Sequence, residues 1–201
     1  TALHRLLLAA LTAHGVDDDA RLAFHAEGAG DVTAVLRYSR AAARRAASLA
    51  AHRDAVAHYR RALAAADSVG ADPRTRAEVL DALATELGLI DEWAEAERLR
   101  GEALVLWRDV GDPLRQGDSL RMQSRALWRL ARGAESRAAV REALVLLEPL
   151  GETPELARAV KDLAGTHMGN GEHVQALVAA DRAALLADQL GLADVLCDVL
   201  D

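Results

Sequence analysis

Apolar residues recur along most of this chain at intervals of three and four positions, which is the spacing of one face of an α-helix. Leu80, Leu83 and Leu87 form one such stripe, and Leu120 and Leu127 form another. The apolar residues are mostly alanine and leucine, which are strong helix formers. Prolines lie outside the stripes, and many glycines lie at their ends. The pattern predicts an all-α fold.

The helical segments end in glycines that return at a regular spacing. The intervals are 41, 40 and 40 residues, and the glycines are Gly70, Gly111, Gly151 and Gly191. A fixed period of about 40 residues is typical of one helix pair stacked on copies of itself. We call the two helices of each repeat A and B. Their predicted ranges are 32–50 and 52–69, 73–88 and 92–110, 113–131 and 134–149, and 154–169 and 172–190.

Helix B of each repeat carries a small, a larger and a small residue at positions i, i+4 and i+7. In the second repeat these residues are Ala96, Arg100 and Ala103. Ala84 lies twelve positions before this triple, on helix A. Because small residues let helices approach closely, we predict that helices A and B touch there. The corresponding sets are Ala43 with Ala55, Tyr59 and Ala62; Ser124 with Ser136, Val140 and Ala143; and Ala164 with Ala176, Ala180 and Ala183.

This arrangement resembles the tetratricopeptide (TPR) repeat over residues 31–190, with a longer period and with leucine or alanine in place of most bulky aromatics. The resemblance implies a right-handed α-solenoid of four helix pairs, preceded by two further helices and followed by one truncated helix. The expected repeats are 31–70, 71–111, 112–151 and 152–191, and the expected flanking segments are 1–30 and 192–201.

The N-terminal third resembles a second family. Segment 20–50, and within it 25–27 (HAE) followed by 30–31 (GD), is similar to the region after the ATPase and winged-helix modules of large actinobacterial LuxR-family transcriptional regulators. The resemblance implies that residues 1–30 are the trailing edge of a winged-helix module. It also implies an ATP-binding module before this segment and a DNA-binding helix-turn-helix module after it. In that setting the helical repeats sense a ligand or partner.

Charge and cysteine content narrow the function classes. The net charge of −7 argues against direct nucleic-acid binding by this segment. Cys197 is the single cysteine, so no disulfide can form within the chain. No apolar run is long enough to span a membrane, and we expect a cytoplasmic location. Because no P-loop or other catalytic motif occurs, we expect no enzymatic activity and no cofactor in this segment.

The strongest candidate site is a column of basic residues on helix A of the third repeat. Arg121, Arg125 and Arg129 are four positions apart and share one helix face, with Met122 and Trp128 beside them. Arginine binds carboxylates and phosphates, and tryptophan provides a stacking platform. In TPR proteins the A helices line the concave surface, so we predict that this face holds a protein, a peptide or a small anionic inducer. Other repeats add Arg37, Arg40, Arg44, Arg158 and Lys161.

Two alternatives stay open for this face and for the whole chain. Charged columns also arise on solvated helices whose arginines pair locally with acids such as Asp118. The chain could also be a free-standing TPR adaptor that binds an acidic peptide, and residues 1–30 would then have no evident purpose. The apolar segment 195–200 could pair with a second copy of the chain.

The remaining aromatic residues and histidines have structural interpretations. Trp107 aligns with apolar residues of the other B helices, so we interpret it as a packing residue. Trp93 begins a B helix and is interpreted as a cover for the turn before it. His167 occupies a position that is leucine in two other repeats, which predicts a hydrogen-bonded core histidine. No histidine pair has the spacing of a zinc site.

Overall fold

The structure is a computed structural model that describes residues 1–200. In this range the chain forms eleven α-helices and no β-strand. The helices are α1 (Ala2–Ala13), α2 (Asp19–Ala29), α3 (Val32–Ser48), α4 (His52–Val69), α5 (Pro73–Leu89), α6 (Trp93–Val110), α7 (Pro113–Arg129), α8 (Gly133–Leu147), α9 (Pro154–Gly169), α10 (His173–Leu190) and α11 (Ala193–Leu200). A short 3₁₀ turn, Glu148–Leu150, follows α8. None of the described helices is long and apolar enough to cross a membrane.

The predicted all-α fold of paired helices is confirmed, and predicted helix ends agree with the observed ones to within two residues. Helices α3, α5, α7 and α9 are the A helices, and α4, α6, α8 and α10 are the B helices. The chain divides into two compact units, which we call unit 1 (residues 1–106) and unit 2 (from residue 107). Each unit is built from neighbouring antiparallel helices.

Three of the A helices begin in the same way. The side chains of Asp72, Asp112 and Thr153 each accept a hydrogen bond from the backbone N–H three residues further on, at 3.0–3.1 Å. A proline follows each cap at the first helical position, where the missing N–H has no helical partner to lose. The recurring Asp-Pro and Thr-Pro pairs of the sequence are therefore helix starts.

The turns after the A helices share one backbone conformation, which the spacing of the glycines does not reveal. Ala50, Asp91, Ala131 and Gly171 all have positive φ, at 55°, 64°, 59° and 75°. These residues are 41, 40 and 40 positions apart, yet only one of them is glycine. A left-handed backbone ends the α-helical hydrogen-bond pattern. Helices α3 and α7 accordingly end two residues before their predicted limits of 50 and 131.

We expect Ala131→Gly to raise the free energy of unfolding by about 0.5–1 kcal/mol. An alanine in the left-handed region destabilises the folded state by about 1–2 kcal/mol, and glycine relieves this strain. Because glycine is more flexible in the unfolded state, about 0.5–1 kcal/mol of this stabilisation is lost again. The matched control is Gly171→Ala, which introduces the strain at the equivalent turn and should lower stability. Urea unfolding of the two variants would measure this, and a stability loss in Ala131→Gly would contradict the expected strain.

The core of unit 1 continues from the N-terminal helices into the repeats. Leu22 of α2 is buried with Val35 and Tyr38 of α3, and Leu8 and Leu11 of α1 pack against this cluster. The apolar stripe of α5 is also buried, with side chains at most 1% exposed. Helices α1 and α2 are thus part of the same packed unit as the first repeat.

The small residues lie at the close approaches between paired helices, as predicted. In unit 2 the hydroxyls of Ser124 on α7 and Ser136 on α8 lie 3.0 Å apart in the interior. A methyl group on Gly117 would lie 2.5 Å from Cγ of the fully buried Leu147, so only glycine fits at this crossing. Of the residues in the B-helix triples, only Ala180 is not fully buried.

Candidate binding surface

The predicted basic residues of unit 1 lie on α3, and all three interact with neighbouring side chains, Arg37 through the ring of Tyr38, whose centroid is 5.2 Å from its guanidinium carbon. Arg40 NH2 lies 2.6 Å from Glu78 Oε2, so this ion pair joins α3 to the next A helix. Arg44 hydrogen-bonds the buried hydroxyl of Tyr59. Burial raises the pKa of Tyr59 above its usual value, although Arg44 and Arg40 oppose the shift. Arg37 is exposed. Most of the basic charge on this face is therefore engaged within the unit.

Arg100 of α6 forms a buried ion pair in unit 1. Its side chain is 5% exposed, and its NH1 atom lies 2.7 Å from Asp81 Oδ1. Its NH2 atom donates to Thr85 Oγ1 at 2.5 Å. The sequence pattern places Arg100 in a packing triple but does not identify a partner for its charge. The equivalent residue is Tyr59 or Val140 in two other repeats, so an arginine at this position indicates a buried charge, and a buried charge requires a counter-charge.

In unit 2, Arg121 is buried instead of exposed. Its Nε and NH2 atoms donate to Asp118 Oδ1 at 2.9 and 2.7 Å, and NH1 donates to Asp162 Oδ2 on α9 at 3.2 Å. Burial alone would lower the pKa of Arg121, but the two carboxylates outweigh this effect and raise the pKa above its ordinary value. The guanidinium is therefore charged and held between two A helices.

The other basic residues on α9 continue this network towards α11. Lys161 Nζ lies 3.4 Å from Asp162 Oδ1 and 2.8 Å from Asp198 Oδ2. Arg158 pairs with Asp194 at 3.2 Å. The arginines thus pair locally to a large extent, as the second interpretation of the sequence proposes. Among the predicted residues on α7, Met122 is half-buried, and Arg125, Trp128 and Arg129 are exposed.

One turn beyond Arg121, the same face of α7 carries an unpaired arginine and an exposed aromatic ring. No ion-pair or hydrogen-bond partner is found for Arg125 within residues 1–200. Trp128 is 57% exposed. Its Nε1 atom lies 3.6 Å from the point where a Cβ of Gly169 would be, so the indole reaches across to the end of α9. Met168, which precedes Gly169, is 52% exposed.

Two glycines leave the facing part of α9 without side chains. Gly165 and Gly169 are four residues apart and share a helix face with Asp162, which contacts α7 through Arg121. A Cβ on Gly165 would meet no atom within 4 Å, so the space above this backbone is open. We call the set Arg125, Trp128, Gly165, Met168 and Gly169 the Trp128 surface.

The Trp128 surface combines three chemical functions. The guanidinium of Arg125, which has no partner among the described residues, can bind a carboxylate through two parallel hydrogen bonds. The indole and the Met168 thioether offer an adaptable apolar platform for an aromatic or aliphatic group. The bare backbone at Gly165 lets the main chain of a ligand approach closely. Among the described residues, no group of three His, Cys, Asp or Glu side chains could hold a metal ion.

The other aromatic residues have structural positions. Trp107 is 1% exposed, in agreement with its interpretation as a packing residue. The ring of Trp93 packs over Gly88, where a Cβ would lie 2.9 Å from it, and so covers the turn between α5 and α6. His167 is half-buried and hydrogen-bonds Glu172 through Nδ1.

Unit 1 contains a cleft of about 430 Å³ whose lining includes Asp17, Arg45, Asp54 and His58. The Nδ1 atom of His58 is buried without a hydrogen-bond partner. Burial and the nearby Arg61 lower the pKa of His58, and Asp54 opposes the shift only in part. The imidazole is therefore neutral near pH 7. Arg45 pairs with Asp17 at 3.1 Å, so the basic group of this cleft already has a carboxylate partner.

No protein-family model matches this sequence, and no curated protein matches it either. Solved structures do match its fold. Aspartyl phosphate phosphatase F from Bacillus subtilis superposes with a TM-score of 0.76 at 12% identity, over 90% of this chain and 47% of that protein. A Rap protein in complex with competence and sporulation factor gives a TM-score of 0.69 at 14% identity, over 90% of this chain and 58% of that protein.

A third similar structure is a kinesin light chain from Podosopora anserina with nearly identical TPR-like repeats. Its TM-score is 0.67 at 13% identity, over 94% of this chain and 95% of that one. The fold is thus a TPR-like α-solenoid. This chain spans about half the length of the phosphatase and less than two thirds of the Rap protein. At these levels of identity the comparison concerns the fold alone.

Proposed function

We propose that this chain is a partner-binding helical-repeat segment and that the Trp128 surface of unit 2 is its binding site. The observation that carries the proposal is the coincidence of an unpaired Arg125, a 57% exposed Trp128 and the bare backbone at Gly165 on adjacent A helices. The ligand class is an acidic peptide or a small anionic inducer with an apolar group beside its carboxylate. Exposed tryptophan and arginine are the residue types most often decisive at binding sites.

In this proposal the paired basic residues position the helices instead of contacting the ligand. Arg121 and Lys161 hold α7, α9 and α11 together through Asp162 and Asp198. Arg125, near the end of α7, has no ion-pair partner within residues 1–200, so one carboxylate group of a ligand can be bound there without breaking an existing ion pair. A similarly folded Rap protein has been solved in complex with competence and sporulation factor, which supports the proposal that a TPR-like fold binds a partner.

The proposal is tested with an array of acidic peptides probed with the purified chain. Trp128→Ala combined with Arg125→Ala should lower the affinity for the best-bound peptide about tenfold or more, since each lost anchor removes about 1 kcal/mol or more. Arg53→Ala, which removes an exposed arginine of α4 outside the predicted basic face, is the matched control. Equal binding by wild type and the double variant would exclude the Trp128 surface.

We further propose that the segment belongs to a multidomain LuxR-family transcriptional regulator, with ATP and DNA bound by other modules. The resemblance of segment 20–50 supports this proposal. An immunoblot of a source-organism extract with an antibody to this chain tests it directly. A band several times larger than 21.4 kDa is expected. A band near 21.4 kDa would instead favour the free-standing TPR adaptor.

A further inference from the structure

Helix α10 carries an apolar stripe on its outer face, away from its buried side. Val174, Leu177, Val178 and Leu185 are between 62% and 73% exposed. Their spacing of three, one and seven residues places them on one face of the helix. Because Ala176, Ala179 and Ala183 bury the opposite face, this stripe contributes nothing to the core of unit 2.

The repeat architecture does not require this stripe. At the equivalent positions, 40 residues earlier on α8, the chain has Ala134, Arg137, Ala138 and Val145. Only the last of these is a large apolar residue, and it is 71% exposed. Arg182 of α10 pairs with Glu148, directly after α8, at 2.9 Å. This ion pair links α10 to the residue that follows α8, and we call Val145, Val174, Leu177, Val178 and Leu185 the B-helix patch.

Two opposite charges accompany the B-helix patch. Arg141 on α8 and Asp181 on α10 are exposed and occupy the same repeat position, 40 residues apart. Neither has an ion-pair partner within residues 1–200, whereas the neighbouring Glu142 pairs with Arg108 at 2.7 Å. Arg141 lies one turn before Val145, and Asp181 lies one turn before Leu185, so both charges border the apolar side chains.

We propose that the B-helix patch binds a second copy of this chain. A twofold axis parallel to α8 and α10 and between them would set α8 of each copy against α10 of the other, with Arg141 facing Asp181 and Val145 facing Leu185. The patch is thus complementary to itself in charge as well as in hydrophobicity. Exposed apolar clusters of this kind mark interaction sites. This surface is separate from the Trp128 surface, and the proposal does not depend on the proposed function.

The dimer is reversible, because five large apolar side chains a side are far fewer than the roughly 20–30 residues of a standard interface. Sedimentation velocity from about 1 μM to 1 mM, the range of weak specific affinities, should therefore show the mass rise from 21.4 kDa towards twice that value. Leu185→Glu should abolish the rise, because it places a charge against Val145 of the other copy. Leu49→Glu, at a residue of unit 1 that is 72% exposed, should leave it unchanged.

A charge exchange tests the pairing itself. Arg141→Glu alone and Asp181→Arg alone should each raise the dissociation constant about tenfold, because each creates two like-charge contacts per dimer. The double variant should restore the wild-type value. All four residues in these tests are exposed, so circular dichroism should show unchanged folding. A mass of 21.4 kDa at every concentration would overturn the proposal. So would a dimer that is insensitive to these changes, which would favour association through another surface.

Discussion

Replacing Trp107 with alanine is expected to lower the free energy of unfolding by about 3–5 kcal/mol. The side chain is 1% exposed and is the largest fully buried one in the described part of the chain. Its removal loses the transfer free energy of the indole and leaves a cavity that a close-packed interior fills only in part. Most apolar residues of this protein are alanine or leucine, so one buried indole accounts for an unusually large part of the buried side-chain volume.

The matched control is Trp128→Ala, which removes the same side chain from a position that is 57% exposed. Its effect on the urea midpoint should be small, about 0.5 kcal/mol or less in stability, because surface substitutions away from packed features have little effect. Comparable losses in the two variants would mean that Trp128 is a packing residue, and the Trp128 surface would then lose its central group.

Replacing Arg121 with methionine should cost about 2–3 kcal/mol of stability. Methionine preserves much of the side-chain volume but leaves Asp162, whose side chain is 9% exposed, without its main counter-charge. Breaking a buried ion pair from one side generally costs about 3–5 kcal/mol. We expect less here, because Lys161 remains 3.4 Å from Asp162 and Asp118 is 28% exposed.

A second substitution separates the loss of attraction from the burial of an unpaired charge. Adding Asp162→Leu to Arg121→Met should recover part of the lost stability, because the buried carboxylate is then absent. Arg125→Met is the matched control and should change stability by less than about 0.5 kcal/mol, since this arginine is exposed. Urea unfolding measures all three variants. If the double variant is less stable than Arg121→Met, Asp162 has a role in packing beyond its pairing with Arg121.

The local pattern of the sequence was sufficient to predict the helices and their pairing. The stripe of Leu80, Leu83 and Leu87 and the small residues at Ser124 and Ser136 were predicted from spacing and lie where it placed them. These features depend on residues within one or two helices. Their physical causes are helical periodicity and the close approach that small side chains permit.

The turns after the A helices were harder to predict. Ala50, Asp91 and Ala131 adopt the left-handed conformation that is usual for glycine. No single residue type therefore recurs at these turns from which their spacing could be recognised. The residues that follow continue into the B helix, and the packing of the two helices imposes the turn on the backbone. A conformation maintained by tertiary packing leaves little trace in the local sequence.

The sequence by itself determined the secondary structure, the repeat period and the small-residue contacts of this protein, because each depends on neighbours along one helix or on a fixed interval. Only the tertiary structure decided which charges remain available. Arg121 and Arg125 share one helix face in the sequence, yet Arg121 lies between two carboxylates and Arg125 has no ion-pair partner within residues 1–200. One of these carboxylates, Asp118, lies three residues earlier on the same helix, but the other, Asp162, lies 41 residues away on another helix. Ion pairs between helices depend on distances across the fold, and these distances cannot be inferred from the spacing of residues along one helix.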